Sequence, residues 1–206
     1  LNMLPNNTSR VFNALSKQSA LGKYSLIGGT ALALQLSHRI SEDLDFCLFN
    51  QQLNARELDS MLDSLSSTHN IQHLTPSAKI AQARINGVNL TNIARDYAID
   101  GVKVTFFARN DGAYRYFNLL RRIPTDTSFK VMAAESVFSM KSWLLQHRVR
   151  SRDLFDLMKH MEASGTYIDA VFAEAKRADP VNYSEELIKM AMTGAAPLDA
   201  EDEGFQ

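Results

Sequence analysis

Residues 24–50 read YSLIGGTALALQLSHRISEDLDFCLFN, and this stretch decides the fold. Residues 24–27 are a short apolar run stopped by Gly28 and Gly29. Apolar residues resume at Leu32, Leu34 and Leu36 until Ser37, His38 and Arg39 break the pattern. A glycine pair between an apolar run and a helical period marks a strand, a tight turn and a helix starting near Thr30. A second apolar run, residues 43–49, opens with alternating aspartates. Successive strand side chains point to opposite faces, so Asp43 and Asp45 are predicted to share one side of a strand.

Two carboxylates in one small space raise each other's pKa or hold a cation between them. A hard divalent ion satisfies them: Mg2+, or Mn2+ in its place, takes oxygen ligands and links carboxylates to substrate phosphates. Backbone N–H groups at a glycine turn leading into a helix favour phosphate. Asp43 and Asp45 are therefore read as metal ligands and Gly28, Gly29 and Thr30 as a phosphate turn, a combination suited to phosphoryl or nucleotidyl transfer. Taken singly, a glycine pair marks any turn and a D-x-D pair any solvated strand end, so the rest of the chain has to decide.

Residues 134–147 carry an apolar helical stripe of Val137, Phe138, Leu144 and Leu145, and Lys141 occupies a place within it. An unpartnered buried ammonium costs several kcal/mol. Its stem therefore snorkels past the core, or its charge meets anionic groups such as phosphates. Residues 152–163 form the next predicted helix, with Leu154, Leu157, Met158 and Met161 as its buried stripe and Asp153, Asp156 and His160 on a neighbouring face. An Arg152–Asp156 helix pair is the plain structural alternative for those charges.

Other helices are predicted over residues 9–19, over 54–67 with Asn54 as cap, and over 167–176 and 184–192. Residues 78–85 and 88–93 flank Asn86 and Gly87 and are read as a tight hairpin, followed by a strand over 102–108. Residues 110–127 are expected to be a connection with one short helix, and 129–132 an edge strand. The 206 residues are 45% hydrophobic and 22% charged, the proportions of a globular protein with a sizeable core. No apolar run is long enough to span a bilayer and residues 1–10 lack a signal-peptide layout, so no membrane partner and a cytoplasmic location are expected. The single cysteine, Cys47, excludes an internal disulfide and a cysteine-based zinc site. A net charge of −1 argues against nucleic-acid binding by bulk electrostatics. Any RNA contact must be local, as at the cluster His147, Arg148, Arg150 and Arg152; the looser cluster Arg115, Arg121 and Arg122 reads as solvated surface.

The runs GGTALALQLSHRISEDLDF and ESVFSMKSWLLQHRVRSRDLFDL together resemble the signature of the AbiEii/AbiGii-type nucleotidyltransferases, a toxin and phage-defence branch of the polymerase β-like nucleotidyltransferase superfamily. The resemblance covers scattered blocks between Leu26 and Leu157. It implies a mixed α/β (α+β) fold: a nucleotidyltransferase core over residues 1–132, a C-terminal helical lobe over 133–195 that completes the active site, and an acidic, mobile tail over 196–206. It also implies a nucleoside triphosphate (NTP) substrate held at Gly28–Thr30, catalytic and metal-binding carboxylates from the S-x-D-x-D segment (Ser41, Asp43, Asp45), and a site completed by Lys141, Arg152, Asp153 and Asp156. Ser41 would contact phosphate or accept a nucleotide itself, and Arg39 and Arg152 would support the triphosphate. Asp153 or Asp156 would orient Lys141 or activate the acceptor hydroxyl. The implied acceptor is the 3′ end of a tRNA or another RNA, with toxicity held in check by a cognate antitoxin protein.

One departure stands against this resemblance. Such enzymes often take a third carboxylate from a later strand, where this chain has Lys103 or Thr105, with Asp100 as a substitute just before it. The departure keeps two other readings open: a nucleotide-binding or interaction module without turnover, and a phosphotransferase acting on a small molecule or protein.

Overall fold

The structure, a computed structural model, describes residues 3–200, 202 and 204. In chain order its elements are α1 (Asn6–Leu15), β1 (Ser25–Ile27), α2 (Gly28–Leu36), β2 (Leu44–Leu48), α3 (Ala55–Leu65), β3 (Ile71–His73), α4 (Ser77–Ile85), β4 (Ala94–Ile99), β5 (Val102–Ala108), α5 (Ala113–Leu119), β6 (Arg122–Ile123), β7 (Lys130–Met132), α6 (Ala134–Leu144), α7 (Ser151–Ser164), α8 (Asp169–Ala178) and α9 (Glu185–Thr193). The strands form one mixed seven-stranded sheet in the order β3-β4-β5-β2-β1-β7-β6.

The predicted strand–turn–helix–strand unit forms the middle of this sheet. β1 is antiparallel to β2, with Ile27 opposite Asp45, and β2 is parallel to β5, with Asp45 opposite Thr105. Alternation on β2 sends Leu44 and Phe46 into the core, where Phe46 packs against Phe106 and Phe129 with ring centroids 5.4 and 4.9 Å away. Asp45 projects to the other face. No loop separates β1 from α2: Gly28 and Gly29 are already the first turn of the helix.

α3 buries Leu58, Met61, Leu62 and Leu65, the face read from the sequence, and Asn54 caps it by accepting from Glu57 N. A second hydrophobic cluster brings together Phe138, Leu145, Val149, Leu157, Val171 and Ile188 from the helices α6 to α9 and the α6–α7 connection. α6 belongs to both cores, since its Val137, Met140 and Trp143 join the sheet's cluster.

Two expectations are corrected. The hairpin expected around Asn86 and Gly87 is absent: residues 77–85 are the helix α4, and Gly87, at φ 75°, follows its end. The run SAKIAQARI is rich in strong helix formers and starts just after Pro76, while glycine in the left-handed region commonly terminates a helix. The tight hairpin lies instead at Asp100 and Gly101, between β4 and β5. Both residues have positive φ, 48° and 82°, as a two-residue type I′ turn requires. Finally, β7 is not an edge strand but lies between β1 and β6, while the short β3, which has no clear alternation to betray it, forms the opposite edge. Among the described residues, no helix is long and apolar enough to cross a membrane.

Candidate active site

A cavity of about 270 Å³ opens between the sheet and the α6–α7 corner. Its walls contain every site residue expected from the sequence, Gly28, Gly29, Thr30, Arg39, Ser41, Asp43, Asp45, Lys141, Arg152 and Asp153, except Asp156. Asp156 is fully buried against Lys141.

The carboxylate end of the cavity follows from the β1–α2 junction. Gly28 has φ 70°, and a Cβ there would sit 3.2 Å from Asp45 Oδ2, so the chain can turn into α2 beside the carboxylate only without a side chain. Burial first, and the charge of Asp43 second, push the pKa of Asp45 up to about 6. Lys103, Lys141 and Arg148 oppose that shift without cancelling it. The cations around Asp45 thus leave its charge under-compensated, and the oxygen donors of the two carboxylates suit a hard divalent ion. Among the described residues no third His, Cys, Asp or Glu converges on the pair to make a larger metal-binding group.

Thr30 and Ser41 brace this end. Their hydroxyls lie 2.7 Å apart, and Thr30 also donates to the backbone carbonyl of Asp43. Ser41 is largely buried, with its hydroxyl against Thr30 in the cavity wall. Asp100, considered as a third carboxylate, lies elsewhere. As the first residue of the β4–β5 turn it accepts from Arg10 Nη2 at 3.1 Å and Asn70 N at 2.9 Å, with His69 Nδ1 at 2.8 Å. The register partner of Asp45 on β5 is Thr105, whose hydroxyl donates to Asp96 one strand further out.

The cationic end is organised by α7. Its most buried residues are Asp153, Asp156, Leu157 and His160, whereas Met158, expected in the buried stripe, is 41% exposed. The polar face turns inward because two cations, Lys141 and Arg39, and the His38 ring meet it there. Lys141 Nζ donates to Asp153 and lies 3.0 Å from Asp156 Oδ2. Arg39 grips Asp156 with both branches, Nε at 2.7 Å and Nη2 at 2.9 Å, and His38 Nε2 is 2.7 Å from the same carboxylate. Burial opposes the charge on Asp156, yet the hydrogen bonds from Arg39 and His38 and the charge of Lys141 outweigh it and hold the carboxyl well below the usual range. Burial likewise opposes ionisation of Asp153, and Lys141 and Arg148 overcome it. The charge in the apolar stripe of α6 is therefore met by two carboxylates. His38 was not singled out from the sequence, because only folding brings the end of α2 to α7.

Gly29 has a different reason to be glycine. A Cβ there would lie 2.2 Å from Arg39 Nη2, the branch locked onto Asp156. Gly29→Ala should therefore dislodge a charge-assisted contact and lower stability by about 1.5–3 kcal/mol, measured by urea unfolding. In the same assay Gly28→Ala is expected to cost about 1–2 kcal/mol from its left-handed backbone.

Arg148, Arg150 and Arg152 continue the cationic wall. Arg148 Nη2 reaches Asp153 at 3.3 Å. Described residues of the acidic segment after α9 approach the other two: Arg150 Nε donates to Asp199 at 2.8 Å and Arg152 Nε to the Gly204 carbonyl at 3.1 Å, while Asp202 accepts from Ser151 N at 3.0 Å. Of the looser cluster, Arg121 is exposed and pairs with Glu135 at 2.8 Å, and neither Arg121 nor Arg122 lines the cavity.

Residues 10–201 match the family described as nucleotidyl transferase AbiEii toxin, type IV TA system. An uncharacterized protein of Aquifex aeolicus (strain VF5) is 27% identical over 157 residues, which cover 74% of this chain and 66% of that protein. The chain thus spans just under two thirds of the length of this curated relative. Among solved structures, JHP933 from Helicobacter pylori superposes with a TM-score of 0.51 at 18% identity, over 83% of this chain and 72% of the other. A putative nucleotidyltransferase from H. pylori does so with a TM-score of 0.51 at 19% identity, over 94% and 83%. Both share the fold of this chain.

Proposed function

The chain belongs to the AbiEii nucleotidyl transferase toxin family, and from that premise we propose that it transfers a nucleoside monophosphate from an NTP to a hydroxyl acceptor. The acceptor is assigned as an RNA end, with the tRNA 3′ end as the first candidate, and the reaction as the toxic activity of a cytoplasmic toxin–antitoxin pair. The observation that carries the reading is a cavity whose lining combines Asp43 and Asp45, the first turn of α2 and a wall of Lys141, Arg148, Arg150 and Arg152. We take residues 1–132 as the transferase core and 133–195 as the lobe completing the site, a division supported by the second hydrophobic cluster around α7, α8 and α9.

In this mechanism Asp43 and Asp45 hold Mg2+ or Mn2+, which supplies charge neutralisation on the triphosphate when bound. No side chain caps α2, so the N–H groups of its first turn serve phosphate oxygens. Lys141, Arg148 and Arg152 neutralise the charge that builds on departing pyrophosphate. The acceptor oxygen forms a bond to the α-phosphorus, the bond to the β-phosphate's bridging oxygen breaks, and the hydroxyl proton passes to solvent. Asp153 and Asp156 keep their charge and aim Lys141; Asp156, wholly buried, touches no substrate. Ser41 acts through Thr30, and Arg39 through Asp156.

Thr105 beside Asp45, where a third carboxylate would stand, favours a second reading, nucleotide binding without turnover. Incubation with each labelled NTP, Mg2+ or Mn2+ and total tRNA separates the two. Labelled RNA with pyrophosphate release is expected. Bound NTP with no label in any acceptor would overturn transfer in favour of binding alone.

A further inference from the structure

Asp43 lines two cavities. One holds the cationic wall described above. The other, of about 340 Å³, is lined by Asn7, Thr8, Glu42, Gly101 and Lys103. A nucleotidyl transfer runs in line, with the attacking oxygen and the departing pyrophosphate on opposite sides of the α-phosphorus. If pyrophosphate leaves among Lys141, Arg148 and Arg152 and the α-phosphorus lies at the carboxylates, the acceptor must arrive from the other side of Asp43. The second cavity borders Glu42 and Asp43 and has none of Lys141, Arg148, Arg150 and Arg152 in its lining.

Among the described residues, Lys103 is the cation that lines this second cavity. Leu44 pairs with Val104 in the parallel β2–β5 register, which puts Lys103 level with Asp43, and its charge is felt at Asp45. The residue is exposed, and among the described residues it has no ion-pair partner. A lone ammonium beside two acidic side chains, Glu42 and Asp43, matches an acceptor that carries a hydroxyl and a phosphate a short distance apart. The end of a polynucleotide has that arrangement; a serine or tyrosine hydroxyl of a protein brings no phosphate for the lysine.

We propose that this cavity is the acceptor subsite and that Lys103 binds the last internucleotide phosphate of an RNA whose terminal ribose hydroxyl is presented beside Asp43. The assignment rests on the nucleotidyl-transfer reading above. Its volume is of the size that holds a small ligand or a terminal nucleoside.

The test compares wild type, Lys103→Ala and Lys103→Arg for equilibrium NTP binding, for KM toward total tRNA with labelled NTP, and for the salt dependence of tRNA binding. Lys103→Ala is expected to raise the KM for RNA about 5–10-fold and to reduce the salt slope by about 1, while NTP binding stays within twofold. Lys103→Arg should restore most of the RNA affinity. An unchanged KM and slope in Lys103→Ala, with transfer intact, would overturn the subsite alone. A parallel loss of NTP affinity would move Lys103 to the triphosphate site, and label entering protein while RNA stays inert would overturn the polynucleotide assignment. A wild type that neither binds NTP nor transfers it would bring down the transfer reading and the subsite with it.

Discussion

Asp156→Ala is expected to lower stability by about 3–5 kcal/mol, the typical loss when one partner of a buried ion cluster is removed. The carboxylate is fully buried, and His38, Arg39 and Lys141 all point at it with side chains only 3%, 15% and 6% exposed. Removing it leaves three adjacent donors facing one another with a single remaining acid, Asp153. Urea unfolding at neutral pH measures the loss, and an unchanged midpoint would show that the cluster contributes no net stability. Stability present above the ordinary carboxylate pKa should fade as pH falls toward the depressed pKa of Asp156, and the variant should lack that acid-side dependence. Asp156→Ala should also impair transfer although Asp156 does not line the cavity, because Lys141 loses one of the two carboxylates that aim it.

Asp45→Asn should move stability and activity in opposite directions. Asp45 ordinarily titrates near 3.8 in the unfolded chain but near 6 in the folded one. Between those values the unfolded state gives up its proton first, so the metal-free protein loses stability as pH rises from about 4 to 6 and stays at the lower level above that. The shift corresponds to a loss on the order of 3 kcal/mol. Asn removes the ionisation, so the variant should be more stable than wild type at pH 7 without metal and show a flatter pH profile. Added Mg2+ should stabilise wild type and not the variant, while NTP incorporation falls by about 1,000-fold or more. A variant that transfers normally, or gains no stability at pH 7, would remove Asp45 from the proposed centre.

How much was legible in the sequence varied with the range of the interaction involved. Strand, glycine turn, helix and second strand were readable over residues 24–50 because alternation and helical period are set by local geometry. The site was readable as residue types for a related reason. Setting two acids side by side on one strand face, or burying a lysine in an apolar stripe, is costly enough to demand partners, whatever the fold. The hairpin was misplaced because two Asx-Gly dipeptides compete, and only the helix-forming run before Asn86 separates the helix end from the true turn at Asp100 and Gly101.

By itself, then, the sequence determined the β1–α2–β2 unit, the carboxylate pair and the residues that gather around one cavity. The tertiary structure alone decided that Asp156 is a buried clamp rather than a wall of that cavity, that α7 turns its acids inward, and that Gly29 makes room for Arg39. All three depend on the contact between Arg39 and Asp156 or its neighbours, and that pair lies more than a hundred positions apart in the chain. No periodicity encodes them: the choice between a solvated acid and a buried one depends on which cations the completed fold brings within hydrogen-bonding distance.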